Sequence, residues 1–410
     1  MKERVILHSD ANCFYASCEM VLNPSLRDKA VAVCGSENER HGIVLAKSEK
    51  AKKCGVKTGM TNREALSLCP DLVIVPPRFE YYQKFSLLLH KIYERYTDYI
   101  EPYGLDECWL DVSDSLKSGE EIASEIRQAV KDELGLSVSV GISFNKVFAK
   151  LGSDMKKPDA QTLITRENFK ELVWPLPVSD LLYCGRHTSE RLMRLGITTI
   201  GALARMPENY LVSKFGKNGH ALWVFANGED DSRVAHMNDY TPPKSIGHGI
   251  TCIENLENTE EASKVIVALC QDIGYKLRAH KMSCMGVSLS VKDENLCVFS
   301  FQTKLEVATQ DQAEIARVAI SILKKNYNWK FKVRALSVTA IDLQSEDAPV
   351  QSMMFFDYEK QDKLKRLNST IDEINNAYGK RSIQPATVLD ERKMPSHTDK
   401  SITLPGAMKK

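Results

Sequence analysis

At 410 residues, with 43% hydrophobic and 27% charged residues, the chain is long and apolar enough for two to four domains with real cores, and its net charge of +1 places any nucleic-acid surface in local charge arrangement rather than overall basicity. Eleven cysteines occur with no C-x-x-C, and Cys13, Cys18, Cys108 and Cys270 sit in apolar runs, which argues for reduced thiols packed as small hydrophobes and against a zinc site. No apolar run approaches membrane-spanning length and the first strand begins within four residues of the N-terminus, so a soluble cytoplasmic protein is expected.

Val5-Ile6-Leu7 reads as a buried strand, and Asn12 to Met20, with Phe14, Tyr15 and Cys18 at helical spacing, as the first turns of a helix. Asp10 falls at the join, where a carboxylate beside helix-opening amides can fix a cation next to a polyphosphate; taken alone, the motif is better read as Asp10 or Asn12 capping the helix. Residues 24–79 form a small polar insertion with short strands at Ala30-Val31-Ala32-Val33-Cys34 and Gly42-Ile43-Val44-Leu45-Ala46, a lysine-rich helix through Lys47, Lys50, Lys52 and Lys53, and a closing Pro76-Pro77. Residues 80–100 read as one long amphipathic helix. Tyr103-Gly104-Leu105-Asp106-Glu107-Cys108-Trp109-Leu110-Asp111-Val112 then places two adjacent acids in a strand-like run. Neighbours on a regular strand point to opposite faces, so Asp106 and Glu107 share a site only where the pleat breaks, and Gly104 makes a bend plausible. A helix at 119–134 and a strand at 136–143 complete a strand-helix-strand-strand-helix-strand order.

Farther on, Asn145 to Lys150 and the Lys156-Lys157-Pro158 turn add lysines that as residues are plain surface charge. Cys184-Gly185-Arg186 through Leu195-Gly196-Ile197-Thr198-Thr199 to Leu203 has the pattern of a helix-hairpin-helix. Gly196 would stop one helix and Thr198 or Thr199 start the next, leaving amides to hold a DNA phosphate; an ordinary helical corner has the same pattern. Thr241-Pro242-Pro243 reads as a linker, and residues 246–343 read βαββαβ. Between Lys324 and Arg334, Lys324, Lys325, Lys330, Lys332 and Arg334 occur with Tyr327, Trp329 and Phe331 and no acid, either a solvated helix end or a grip on nucleic-acid backbone. Residues 358–379 read as a charged helix, and disorder is expected after Asp390.

Together the two acidic motifs resemble those of the Y-family DNA polymerases, the lesion-bypass enzymes, with Asp10-Ala11-Asn12-Cys13-Phe14-Tyr15-Ala16-Ser17-Cys18-Glu19 closest to the bacterial UmuC-like branch. The resemblance continues through Gly42-Ile43-Val44, Gly55-Val56-Lys57, Gly141 to Lys146 and Asp154-Met155-Lys156-Lys157-Pro158, covering roughly residues 4–345. It implies an α+β multidomain right hand: palm (1–23 and 80–174) of the βαββαβ type, small fingers (24–79), helical thumb (175–240), βαββαβ little finger (241–345) and a C-terminal tail (346–410). It implies an error-prone translesion DNA polymerase acting in DNA repair and damage tolerance, monomeric, that adds dNTP to the primer 3′-hydroxyl of primer-template DNA with two Mg²⁺.

By the same resemblance Asp10 and Asp106 bridge both ions, Glu107 completes the primer-side site, and the Ala11 carbonyl helps hold the other ion. Asn12, Cys13, Phe14, Tyr15, Lys52 and Lys157 would contact the nucleotide, with Tyr15 excluding a 2′-hydroxyl. Gly185, Gly196 and the five basic residues at 324–334 would contact DNA. Gln351-Ser352-Met353-Met354-Phe355-Phe356 is similar to the peptide that docks bacterial polymerases on the sliding clamp, through Gln351, Met354, Phe355 and Phe356. The sequence departs from the family at Glu49, where a phosphate-contacting tyrosine is common, at Gly104, where serine is common, and at Phe144, where lysine is common. The rival readings are a catalytically silent DNA-binding scaffold of the same fold and a nucleotide cyclase on a similar palm.

Overall fold

The computed structural model describes residues 4–36, 40, 42–239, 241–348, 358–379, 382–388 and 393–395, which divide into two compact units, one drawn from 1–35 and 43–240 and the other from 36–42 and 241–401. The strands are β1 (Ile6–Ala11), β2 (Val31–Cys34), β3 (Val44–Lys47), β4 (Val73–Val75), β5 (Ile100–Pro102), β6 (Glu107–Asp111), β7 (Val138–Ser143), β8 (Gln161–Ile164), β9 (Ile246–Leu256), β10 (Met282–Asp293), β11 (Val298–Thr309) and β12 (Val333–Ser345).

In the first unit β1 is buried at all six positions because it lies at the centre of a five-stranded sheet, order β5-β6-β1-β7-β8, antiparallel to both neighbours. Leu7, Val138, Val140 and Ile142 face the helices Phe14–Leu22, Phe79–Tyr93 and Gly119–Leu134, while Ile6 and Trp109 meet Ala149 of the helix Lys146–Met155 on the other side. The helix Gly119–Leu134 has a reciprocal cap between Ser118 and Glu121 at its start and left-handed Gly135 at its end. The helix Lys146–Met155 lies flush on the sheet: a Cβ added to Gly141 would fall 1.8 Å from the Ala149 carbonyl oxygen. That close approach carries Lys150, Ser153 and Lys157 to the C-terminal end of β1.

Three expectations change in detail. The long helix ends at Tyr93, well short of residue 100, because Thr97 turns the chain back to the sheet: its hydroxyl accepts from Tyr99 N and donates to the Asp111 carbonyl, and Ile100–Pro102 becomes an edge strand. The palm sheet gains β8, parallel to β7. The 24–79 insertion also contains β4, parallel to β2, and a helix Asn62–Leu68 whose Thr61–Glu64 capping box was visible as T-x-x-E. Phe144 is explained by packing: it lies against Phe148 and Phe169 with the Arg166 guanidinium over its ring.

Residues 186–226 are four short helices. Gly185 precedes the first, Gly196 turns at φ +78° and Thr199, of the two threonines, caps the next through Ala202 N. The second unit is a four-stranded antiparallel sheet, β11-β10-β12-β9, with the helices Thr259–Ala279 and Gln312–Asn326 packed on one face, the βαββαβ order read from the sequence. The helix Tyr358–Tyr378 docks there through Arg278–Asp372 and Gln312–Asn368. No helix among the described residues is long and apolar enough to cross a membrane.

Candidate active site

Asp10 is the penultimate residue of β1 and stands directly opposite Glu107, the first residue of β6. Asp106 lies just before that strand in a bend, so the alternation that would part it from Glu107 does not apply. Two features make the bend. Gly104 takes φ +121°, which strains any side chain, so the serine common here in the family would need a different backbone path. The Ala11 amide donates to the Asp106 carbonyl at 2.9 Å, drawing the bend onto the end of β1.

The electrostatics show that the three carboxylates feel one another. Burial first, and then the Glu107 and Asp106 charges, push Asp10 up to about 7 in spite of Lys157 beside it. Burial and Glu107 push Asp106 up to about 6. Glu107 goes the other way: burial opposes ionisation, but hydrogen bonding from His8 and the Lys150 ammonium bring it down to about 2. Lys157 Nζ reaches Asp10 Oδ2 at 2.5 Å and Asp154 Oδ1 at 2.8 Å, and Lys150 Nζ contacts Glu107 Oε2. Among the described residues no group of three or more His, Cys, Asp and Glu side chains is spaced to hold a metal ion as it stands; an ammonium neutralises Asp10 and another Glu107. The donor chemistry nonetheless suits a hard divalent cation. These are oxygen ligands, two of them hold a proton tightly because burial disfavours their charge and the neighbouring carboxylates add to it beyond what Lys157 offsets, and Asp10 Oδ1 and Glu107 Oε1 have no hydrogen-bond partner among the described residues.

The helix Phe14–Leu22 opens on left-handed Cys13 with no side-chain cap, which leaves its first amides to an anion. The Asn12 side chain is occupied, donating to Ser137 Oγ and accepting from Ser139 Oγ, and so is its backbone, the amide donating to the Ser137 carbonyl and the carbonyl accepting from Ser17 Oγ; Asn12 ties the turn to its neighbours. Phe14 is a core residue, whereas Tyr15 is half-buried, stacked on Tyr82 at 4.4 Å and edge-on to Phe79 at 5.9 Å. Tyr82 is itself fixed, its hydroxyl donating to Glu19 at 2.7 Å while Arg78 grips the same carboxylate. Sequence reading missed Glu19, Arg78 and Tyr82, as it missed His8, Lys150 and Ser153.

Cys13 Sγ donates to Glu49 Oε1 at 3.2 Å, and Lys52 Nζ lies 3.5 Å from the same oxygen. Glu49 therefore competes with any phosphate for Lys52. Both side chains are at least a third exposed, so the pair is weak. Glu49→Gln is expected to lower KM for the nucleotide about twofold to fivefold with kcat unchanged, the range a surface ion pair allows; steady-state kinetics with varied nucleotide checks it, and a raised KM would show that Glu49 helps binding.

In the second unit Lys324, Lys325 and Lys330 are exposed, Lys332 pairs with Glu257 at 2.6 Å, and Arg334 is half-buried. Two of the aromatic residues among them serve the fold: Trp329 and Tyr327 pack against the core and the Tyr327 hydroxyl donates to the Phe331 carbonyl at 2.7 Å, while the Phe331 ring is exposed. The sheet face away from the helices is smooth. Gly249, Ser337, Ser290 and Ser300 form one row across it, and Gly247, Thr339, Ser288 and Gln302 the next. The peptide Gln351–Phe356 lies outside the described residues.

Comparison with known proteins agrees in both halves of the chain. The family model described as impB/mucB/samB family matches residues 9–154, and that of the impB/mucB/samB family C-terminal domain matches residues 243–354. The chain is 47% identical over 393 residues to DNA polymerase IV of Acetivibrio thermocellus, covering 95% of this chain and 98% of that protein. It is 34% identical over 396 residues to DNA polymerase IV of Clostridium acetobutylicum, covering 95% and 99%. A solved Y-family DNA polymerase chimera of Dbh and Dpo4 shares the fold at a TM-score of 0.73 with 24% identity, over 83% of this chain and 99% of that one.

Proposed function

Because the chain belongs to the impB/mucB/samB family of Y-family DNA polymerases, we propose that Asp10, Asp106 and Glu107 form the catalytic site of a DNA-directed DNA polymerase of the translesion type, with two Mg²⁺ ions held by these carboxylates and the Ala11 carbonyl. The observation that carries the assignment is the cross-strand pair Asp10–Glu107 with Asp106 folded against the end of β1, each acid within electrostatic range of the others. When bound, such ions supply the Lewis acidity that lowers the pKa of a primer 3′-hydroxyl and offsets charge on the departing phosphates.

The chain's own residues do the remainder. The uncapped amides of the helix Phe14–Leu22 bind phosphate oxygens, and Lys157 and Lys52 turn from their carboxylates to the triphosphate. Tyr15 presents its ring under the deoxyribose. In this reading residues 1–23 and 80–174 are the palm, 24–79 the fingers, 175–240 the thumb and 241–345 the little finger. The turns at Gly185 and Gly196, the smooth sheet face and the exposed Lys324, Lys325 and Lys330 meet DNA backbone; a row of glycine and small hydroxyls lets a phosphate chain approach closely without reading sequence. Docking on a sliding clamp through Gln351, Met354, Phe355 and Phe356, a monomeric state and a cytoplasmic location belong to the same proposal.

Primer extension with Mg²⁺ on undamaged and lesion-bearing templates tests the activity: extension past the lesion is expected, and a chain that binds primer-template without extending it would be a scaffold instead. For the DNA surface, Lys324→Gln, Lys325→Gln and Lys330→Gln combined should weaken binding alike on all sequences and reduce the slope of log K against log salt by up to about 0.9 per lost phosphate contact. Lys332→Gln should change it less, since Glu257 already holds that ammonium; an unchanged slope in the triple variant would remove these lysines from the interface.

A further inference from the structure

We infer that His8, set in one tautomer by Ser153, is a positioning residue that holds Glu107 with one oxygen turned inward for the cation site. His8 lies on β1 two residues before Asp10, on the same face, and its side chain is fully buried. An imidazole in the middle of a buried strand needs partners for both nitrogens. Nδ1 is 2.8 Å from Ser153 Oγ, and Nε2 is 3.3 Å from Glu107 Oε2. The ring cannot turn away, because Trp109 packs on it at 5.1 Å and is itself fixed by donating from Nε1 to the Lys146 carbonyl.

Ser153 decides the tautomer. Its hydroxyl has one proton and two acceptors in reach, His8 Nδ1 and the Lys150 carbonyl at 2.7 Å. That carbonyl lies within the helix Lys146–Met155 and has the ladder bond of its own helix. Were the proton spent there, Nδ1 would have to carry the ring hydrogen, and the Nε2 lone pair would face a carboxylate in a dry site. Donation to Nδ1 instead puts the ring hydrogen on Nε2, on the side where Glu107 Oε2 lies 3.3 Å away. That approach falls short of hydrogen-bond geometry, so Nε2 is buried with no hydrogen-bond partner among the described residues and Glu107 Oε2 as its near polar neighbour.

The consequence lies in which oxygen is taken. His8 and Lys150 both meet Oε2, so Oε1 is left with no partner among the described residues, on the carboxylate that faces Asp10 across the strands. Lys150 alone is a flexible point charge and does not fix orientation. The rigid imidazole does.

This inference rests on the assignment of Glu107 to the metal site, and the tests keep the two apart. In primer extension by the full chain, His8→Leu is expected to lower kcat about 10-fold to 100-fold with little change in KM for nucleotide, the loss usual for a group that orients a ligand. His8→Gln, which can return an N–H to the Nε2 position, should recover most of the rate; His8→Asn should not. Ser153→Ala should cost less than His8→Leu and add nothing to it in the double variant. Independently of activity, long-range ¹H–¹⁵N spectra, with His8 assigned by its absence from His8→Gln, should show the Nε2–H tautomer in the parent and a mixture in Ser153→Ala.

Glu107→Ala is run as the reference. If it extends primers like the parent, the metal-site assignment fails. If it is inactive while His8→Leu matches the parent, the positioning role fails. An Nδ1–H tautomer in the parent, or additive losses in the double variant, also overturns it. Should His8→Leu not fold, Ser153→Ala and the parent spectrum carry the test alone.

Discussion

Asp106→Ala is expected to lower primer extension by at least about 10³-fold, ~4 kcal/mol of transition-state stabilisation, without lowering the thermal stability of the chain in the absence of divalent ions. The first half follows from its place between Asp10 and Glu107; the second follows from its titration. Folding raises Asp106 from 3.8 to about 6. The folded chain thus holds that proton more tightly than the unfolded chain, so stability falls as pH rises through this window and the ionised carboxylate is a burden above it. Alanine removes the burden, and Tm at pH 8 without divalent ions should be equal to or above that of the parent. Glu107→Ala should be as inactive but behave oppositely in stability. Folding lowers Glu107 from 4.5 to about 2, so its contribution is gained as pH rises through that range and is fully present at pH 8. Its loss also leaves Lys150, largely buried, without its carboxylate. Calorimetry of both variants beside primer extension checks this. An active Asp106→Ala would remove the residue from catalysis, and a Tm several degrees below the parent would make it structural.

What the sequence made legible was local. Asp10 stood out because an apolar strand ends on an acid and a helical spacing begins, and Asp106-Glu107 because two acids interrupt a strand just after a glycine. The repeated βαββαβ order followed from alternation and helical spacing in elements long enough to show a period. Partners were not legible. His8 and Ser153 are 145 residues apart and Glu19 and Tyr82 are 63 apart, and periodicity states which face a residue occupies but not what it meets there. The short strands β4 and β8 were not legible, although β2 and β3, four residues each, were. Composition also misled at 324–334. The aromatic residues there counted toward a nucleic-acid grip, but Trp329 and Tyr327 close a loop onto the core of their own unit, and Lys324, Lys325 and Lys330 remain outward with Phe331.

Tyr15→Ala is expected to raise incorporation of ribonucleotides relative to deoxynucleotides by roughly 10²-fold, the discrimination a shaped pocket has against one extra hydroxyl. A gate of this kind needs a flat surface that cannot retreat. Helical spacing puts Phe14 and Tyr15 on adjacent faces, and the fold separates their duties: Phe14 is 3% exposed in the core, whereas Tyr15 keeps part of its ring open near Asp106, whose charge, after burial, raises its hydroxyl pKa. Behind it Tyr82 lies almost parallel, at 12°, and Phe79 closes the side. Each aromatic contact is worth about 0.5–1.5 kcal/mol, enough to hold the ring against a bulkier sugar. The backing depends on polar ties, since Tyr82 is held by Glu19 and Glu19 by Arg78. Tyr15→Phe should therefore keep discrimination, because the ring plane and not the hydroxyl excludes the sugar. Glu19→Gln should erode it partly by loosening Tyr82. Single-turnover incorporation of matched deoxy- and ribonucleotides measures the ratio. If alanine leaves it unchanged, or phenylalanine loses it, the exclusion lies elsewhere in the site.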